Sequence, residues 1–218
     1  VEEQLARWVE AINGPAFVDP SRRDRAVADM RAAGVDEVFP LLTERLRAAD
    51  PDARCQAITA LFFLDPHRAV EPVVAMLADL AVEVRWHACG CLHDFGDERA
   101  VPALCEALRR DPDPQVRGTA AYALGGIGSP AAIPALLAAL GSDNESDELG
   151  HSPSSSAGTA LDDILGTQET RLRMDGGLCR LAARPPDLDR LRCRAEELFS
   201  QWSGGRAEPR AAPDAGRR

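Results

Sequence analysis

The sequence predicts an all-α fold, a right-handed solenoid in which antiparallel helix pairs stack one on the next. Three observations predict it. The chain repeats itself with a period near 32 residues. Within each repeat, apolar residues recur at helical spacing. Aromatics make up only 5 % of the residues, whereas Ala, Leu, Arg and Glu, all strong helix formers, are abundant, which argues against sheets.

Residues 1–34 read as a variant N-terminal cap. Glu3 to Asn13 has helical spacing, with Leu5, Trp8 and Val9 or Ile12 on its inner side. Pro15 to Ser21 breaks the chain, and Ser21 is placed to cap a second helix through Arg31. A solenoid needs such an end piece, because its terminal apolar face is otherwise left in water. Trp8 is assigned to the core of this cap.

About four repeats follow over residues 35–166. Their marker prolines, Pro40, Pro72, Pro102 and Pro134, are 32, 30 and 32 residues apart. The marker arginines Arg54, Arg85 and Arg117 are 31 and 32 apart. The third unit shows the physics. Pro102 falls in a first helical turn, where a missing N–H does no harm. Leu104 and Leu108 share one stripe. Asp111 to Pro114 makes a turn, with Asp113 placed to cap the next helix. Val116, Ala120, Leu124 and Ile127 then recur at helical spacing until Gly128 ends the helix. Val84, Ala88, Leu92, Phe95 and Gly96 match this in the second unit, as do Ala53, Ala57, Leu61 and Leu64 in the first.

The stretch VPALCEALRRDPDPQVRGTAAYALGGIG, from Val101, resembles the HEAT-repeat family, in particular the short subtype first recognised in phycobilin lyases. The resemblance covers residues 38–166. It is specific for fold and unspecific for activity. It implies an Asp–Arg ladder between adjacent repeats, matched here by Asp52 with Arg54 and by Asp113 with Arg117. Arg85 fits too, although Ala81 and Glu83 beside it leave its acid undefined. These arginines are therefore expected to be structural.

The fourth unit departs from the pattern. From Pro102 to Gly118 is 16 residues and from Pro134 to Gly158 is 24, so eight extra residues are expected inside SDNESDELGHSPSSSA. That polar, Ser-rich stretch reads as a surface loop over residues 142–156. The arginine position is lost there, with Ala157 before Gly158. Residues 167–203 are expected to cap the far end, with Leu188, Leu191, Leu198 and Trp202 on a last helix. Residues 204–218 have the composition of a disordered tail.

Bulk charge narrows the function. A net charge of −10 opposes the basic stripe that phosphate tracking needs, so nucleic acid is a disfavoured partner. No run of about 18 apolar residues exists and no secretory leader opens the chain, which begins with Val1. A membrane partner is therefore not expected. The six cysteines, Cys55, Cys89, Cys91, Cys105, Cys179 and Cys193, lie mostly inside apolar helical patterns. Free thiols in a reducing, cytoplasmic setting are the expectation.

WHACGCLHD, from Trp86, invites a metal reading, since His87, Cys89, Cys91 and His93 are zinc-type ligands. Their spacing of two residues opposes it. His87 and Cys91 share one side of a helix and Cys89 and His93 another, so no face offers all four. A Cys89–His93 nucleophile would lack an orienting group and an oxyanion hole. Enzymes that the resemblance brings in are not matched. Deoxyhypusine hydroxylase carries repeated His-Glu pairs, against a single His93–Asp94 here; HEAT-like DNA glycosylases need a basic aromatic cleft. No catalytic residue, metal or cofactor is assigned.

What remains is the surface of the second helices, which line the concave side of such solenoids. Phe62, Phe63, Trp86, Gly90, His93, Tyr122, Gly125 and Gly126 fall on their non-core positions. Phe62, Trp86, His93 and Tyr122 form the candidate binding surface, since aromatics anchor interfaces; one of Phe62 and Phe63 is expected to turn inward. A non-catalytic scaffold for another protein is the leading expectation. A lyase-like subunit holding a tetrapyrrole or other bulky ligand is the second. A nucleic-acid binder is the third, and it requires Arg22, Arg23, Arg25, Arg31, Arg45 and Arg47 to converge.

Overall fold

Helix starts set the frame of the molecule. In the computed structural model, which describes residues 2–13, 20–140, 152–166, 173–175, 178–180 and 185–205, many helices open on a proline. α1 spans Glu2–Asn13, α2 Pro20–Ala32, α3 Val35–Arg45, α4 Pro51–Leu64, α5 Pro66–Ala75 and α6 Val82–Phe95. α7 spans Val101–Arg110, α8 Pro114–Ile127, α9 Ile133–Ala139, α10 Pro153–Leu165 and α11 Pro185–Gly205. Before Pro51, Pro66, Pro114 and Pro153 stand Asp50, Asp65, Asp113 and Ser152, whose side chains accept backbone N–H bonds from the first turn. Proline costs nothing there, and the acceptor satisfies a donor that the helix leaves unpaired.

The elements stack as helix pairs. α3 packs on α4, α5 on α6, α7 on α8 and α9 on α10. The second helices form a continuous layer, α4 on α6, α6 on α8 and α8 on α10. Alanines make that layer close. Ala57, Ala88 and Ala120, at equivalent positions, have no accessible surface, and neither do Leu61, Leu92 and Leu124 one turn later. The all-α solenoid expected from the repeat is the architecture observed. α6, α8 and α10 end on Gly96, Gly128 and Gly166 at positive φ, the left-handed cap that glycine adopts without strain.

The ends differ from the repeats. α1 lies against α2 and α4, burying Leu5, Val9 and Ile12. Trp8 is half-buried against the same core, and among the described residues its covered indole N–H has no hydrogen-bond partner. α2 begins at Pro20, one residue before the expected cap Ser21. At the other end α11 covers α9 and α10 with fully buried Leu191 and Ala195. It is longer than expected, because Pro185 enters its first turn and the helix runs on to Gly205. Arg173–Asp175 and Leu178–Arg180 pair as two antiparallel strands, a hairpin that composition gave no reason to expect.

Two further expectations change. Pro102 and Pro134 lie in the first turns of α7 and α9, after 3-10 turns at Glu98–Ala100 and Pro130–Ala132. Pro40 and Pro72 lie inside α3 and α5, because those helices start earlier. The second change concerns the fourth unit. Residues 153–156 are helix, not loop: Ser152, the N-cap, and Ser155 form a reciprocal capping box, and Ser154 and Ser155 are buried. The buried set Val116, Arg117, Ala120, Ala121, Ala123, Leu124 and Gly125 recurs as Pro153, Ser154, Ala157, Gly158, Ala160, Leu161 and Asp162. The offset is 37 residues against 32 from Arg85 to Arg117, so five residues are inserted rather than eight. Ser154, not Ala157, stands at the arginine position. Residues 141–151, most of the expected loop, the tail from 206 and the side chains of Cys179 and Leu188 lie outside the described residues.

Candidate functional site

The arginines define where the second helices begin. Arg54 donates from Nε and Nη2 to the two carboxylate oxygens of Asp79 at 2.8 and 2.7 Å. Its Nη1 donates to the carbonyls of Ala48 and Ala49. Arg85 repeats this with Asp111 at 2.7 and 2.9 Å and with the carbonyls of Asp79 and Leu80. Arg117 donates to the carbonyls of Asp111 and Pro112. Each guanidinium thus ties the turn of its own unit, and those of Arg54 and Arg85 also clamp the next unit through its aspartate.

The acids of this ladder are Asp79 and Asp111, not Asp52 and Asp113. Asp113 caps α8, accepting from Gln115 and Val116, and at the start of α4 the capping role belongs to Asp50. The acid sits at the turn six residues before the next arginine, beyond the short window where the sequence pattern placed it. Asp79 Oδ1 also accepts from the Ala81 N–H, and Asp111 Oδ1 from that of Asp113. Burial pushes the Asp79 carboxyl up, but the Arg54 and Ala81 hydrogen bonds and the charges of Arg54 and Arg85 outweigh it and hold it below the usual carboxylate value.

The Cys–His run divides as helical geometry requires. His87 Nε2 lies 3.7 Å from Cys91 Sγ and 2.9 Å from Thr59 Oγ1 on the neighbouring helix. Burial holds its pKa below the ordinary imidazole value. Cys89 is fully buried, and burial pushes its thiol up to about 12, as it does for Cys91. Such thiols are poor nucleophiles at neutral pH. Among the described residues, no three His, Cys, Asp or Glu side chains gather closely enough to hold a metal ion.

His93 takes a different course and builds a groove between α6 and α8. Its ring stacks on Tyr122, with centroids 4.4 Å apart and planes 7° from parallel. Its Nδ1–H donates to Asp94 at 3.0 Å. The ring fits there because residue 126 is glycine: a Cβ on Gly126 would run into His93 Cδ2. The groove, about 370 Å³, is lined by Trp86, His87, Gly90, Asp94, Thr119 and Tyr122, together with His93 and Cys91. Trp86 is 44 % exposed and Tyr122 52 %. A Cβ on Gly90 would meet nothing within 4 Å, so the floor is open.

Three of the four candidate surface residues, Trp86, His93 and Tyr122, therefore meet. Phe62 does not join them. It is half-buried, packed between Phe63 and Phe95 at ring distances of 5.0 and 5.2 Å. Phe63 is the one that packs on the core, under the Arg23 guanidinium. Gly125 is not a surface position either; it is buried where α8 crosses Ala160 of α10. Gly90 stands where the sequence placed it, whereas Thr119 is a groove residue that sequence patterns missed, since a polar position on an outward helix face carries no periodic mark. A second, apolar hollow of about 560 Å³ lies on the other layer, lined by Val74, Leu77, Leu80, Ala103 and Ala107 among others.

The arginines of the N-terminal region are engaged separately. Arg22 approaches Glu10 and Arg23 pairs with Asp24. Arg31 donates to the Phe63 and Leu64 carbonyls, and Arg47 pairs with Glu44.

Comparison with known proteins places the fold. Residues 70–152 match the family of HEAT repeats. No curated protein matches the chain. Among solved structures it is similar to an engineered protein, with 19 % identity and a TM-score of 0.52 over 90 % of this chain and 53 % of that one. It is also similar to the complex of CpcE and CpcF of phycocyanin lyase from Nostoc sp. PCC7120, with 23 % identity and a TM-score of 0.52 over 74 % of this chain and 65 % of that one. The cohesin subunit Scc3 from Z. rouxii gives 13 % identity and a TM-score of 0.50 over 97 % of this chain and 28 % of its own. At these identities the likeness is one of fold, a HEAT-type stack of helix pairs. Among the described residues, no helix is long and apolar enough to cross a membrane.

Proposed function

We propose that the chain is a non-catalytic scaffold that receives another protein in the groove between α6 and α8. One observation carries this: Trp86 and Tyr122, two of the three large hydrophobic side chains exposed among the described residues, line the same groove. Large aromatics left in water over a shallow hollow are the residues that anchor protein interfaces. The raised thiol pKa values of the cysteines beside the groove weigh against covalent chemistry there. Free thiols at Cys55, Cys89, Cys91, Cys105 and Cys193 support work in a reducing compartment such as the cytoplasm.

The test is affinity capture from native extract with the wild-type chain and with a Trp86→Ala/Tyr122→Ala double variant of unchanged helical content. Partners held by the wild type and lost by the variant are expected. Equal recovery of every captured protein by both would sink the proposal.

A further inference from the structure

We infer that the occupant of this groove is an extended peptide segment of the partner whose arginine or lysine side chain lies against Trp86 and Tyr122. The inference rests on the scaffold reading above and adds the partner's chemistry.

Charge carries it. The second-helix layer holds three arginines, Arg54, Arg85 and Arg117, and all three point into the turns. Arg54 and Arg85 are ion-paired to Asp79 and Asp111, and Arg117 is buried against turn carbonyls. The exposed ionisable groups on α4, α6 and α10 are carboxylates: Asp52, Glu83, Asp94 and Asp163. One of them lines the groove, and a second lies beyond it on α10. Asp94 lines it, with 59 % of its side chain in water. Asp163 reaches over α8 from the other side, its Oδ2 3.3 Å from where a Cβ of Gly125 would stand. Burial and the adjacent Asp162 push the Asp163 carboxyl above its usual value, with His93 opposing.

The aromatics complete the match. A guanidinium or ammonium over the face of Trp or Tyr is attracted by the ring quadrupole, and arginine gains most because its plane also stacks. The flat Trp86 and Tyr122 surfaces beside Asp94 suit such a cation, and an anionic or purely apolar ligand would bring no cation to the water-exposed Asp94 carboxylate. Gly90 accounts for the extended backbone. With no side chain at residue 90 and open space above it, a peptide main chain can lie close to α6. Nucleic acid carries the wrong sign for this face.

Fluorescence anisotropy tests the inference with three labelled nonapeptides of one length. One carries Arg at every third position among Ser and Gly; the others carry Gln or Glu there. Only the Arg peptide is expected to bind the full chain. Trp86→Ala and Asp94→Asn should each weaken it by about 3- to 30-fold. Glu71→Gln, on α5 in the other layer, should leave it unchanged. Equal binding by wild type, Trp86→Ala and Asp94→Asn would overturn the inference, as mere attraction to an acidic protein. Tighter Trp86-dependent binding of the Gln or Glu peptide would overturn the cation and leave the scaffold standing. If no peptide binds, the inference falls. The scaffold then falls with it only where affinity capture also finds no partner dependent on Trp86 and Tyr122.

Discussion

Two adjacent glycines show how much one missing methyl group can decide. A Cβ at residue 125 would lie 2.8 Å from the Ala160 Cα, and backbone cannot step aside. A Cβ at residue 126 would meet only the His93 ring, the far end of a side chain that can rotate. Replacing helical glycine by alanine gains up to about 1 kcal/mol in propensity, whereas overpacking costs about 1–3 kcal/mol. Gly125→Ala is therefore expected to destabilise by about 1–2 kcal/mol in urea denaturation. Gly126→Ala should be neutral or slightly stabilising, yet it unstacks His93 from Tyr122 and reshapes the groove. Equal midpoint shifts for both variants would contradict the contact geometry. None of this was legible in the run GGIG. It marks a helix end correctly, but the partner across a helix crossing leaves no trace in the glycine's own sequence neighbourhood.

At the scale of the element, the Arg–Asp clip is the unit of construction. Arg85 and Asp111 keep 12 % and 5 % of their side chains exposed, and the pair is bidentate. Removing one partner strands the other, so Asp111→Ala is expected to cost about 2–4 kcal/mol, less than full burial would give because the guanidinium edge meets water. Arg85→Lys should not rescue the clip, since an ammonium cannot span both oxygens and two carbonyls. Acid acts on the same device at Asp79. Its folded pKa lies below the unfolded value of about 3.9, so its contribution is complete above that pH and fades as pH falls through the folded value. Asp79→Asn should flatten the acid limb of a stability–pH curve; an unchanged limb would assign acid unfolding to other carboxylates. The arginines were legible from their 31- and 32-residue spacing. Their acids were not, because the partner belongs to the following turn and the nearer Asp52 and Asp113 compete for attention. The start of α10 was hidden for a related reason. Serines that cap and line a buried first turn look, by composition, like loop.

The whole molecule is a stack closed at its ends by pieces that do not repeat. α11 seals α9 and α10 with Leu191 and Ala195, and α1 does the same for α4. Solenoids open by losing contacts between neighbours, so buried groups report that opening. Cysteine labelling with Ellman's reagent is expected to be immediate at exposed Cys193 and slow at Cys89, Cys91 and Cys105, whose burial raises their thiols. Prompt labelling of Cys89 in the native chain would mean that α6 and α8 separate easily. Architecture at this scale was the most legible part of the sequence, because periodicity is written in every unit. The groove was legible as a row of surface positions but not as a hollow, because its shape depends on how Gly90 leaves space open and how Gly126 admits the His93 ring.

The clip has one more consequence, for how long such a molecule can be. The second unit shows why: its turn carries Asp79 for the arginine of the unit before it and, six residues on, Arg85 for the carboxylate of the unit after. Length is therefore not fixed by anything inside a unit. A duplicated stretch of 32 residues beginning at Pro66 would carry both Asp79 and Arg85 and so meet a ready partner on either side, and the caps would simply stand farther apart. Growth by whole units would lengthen the open face without redesigning any junction, and the present length is one stopping point in a series.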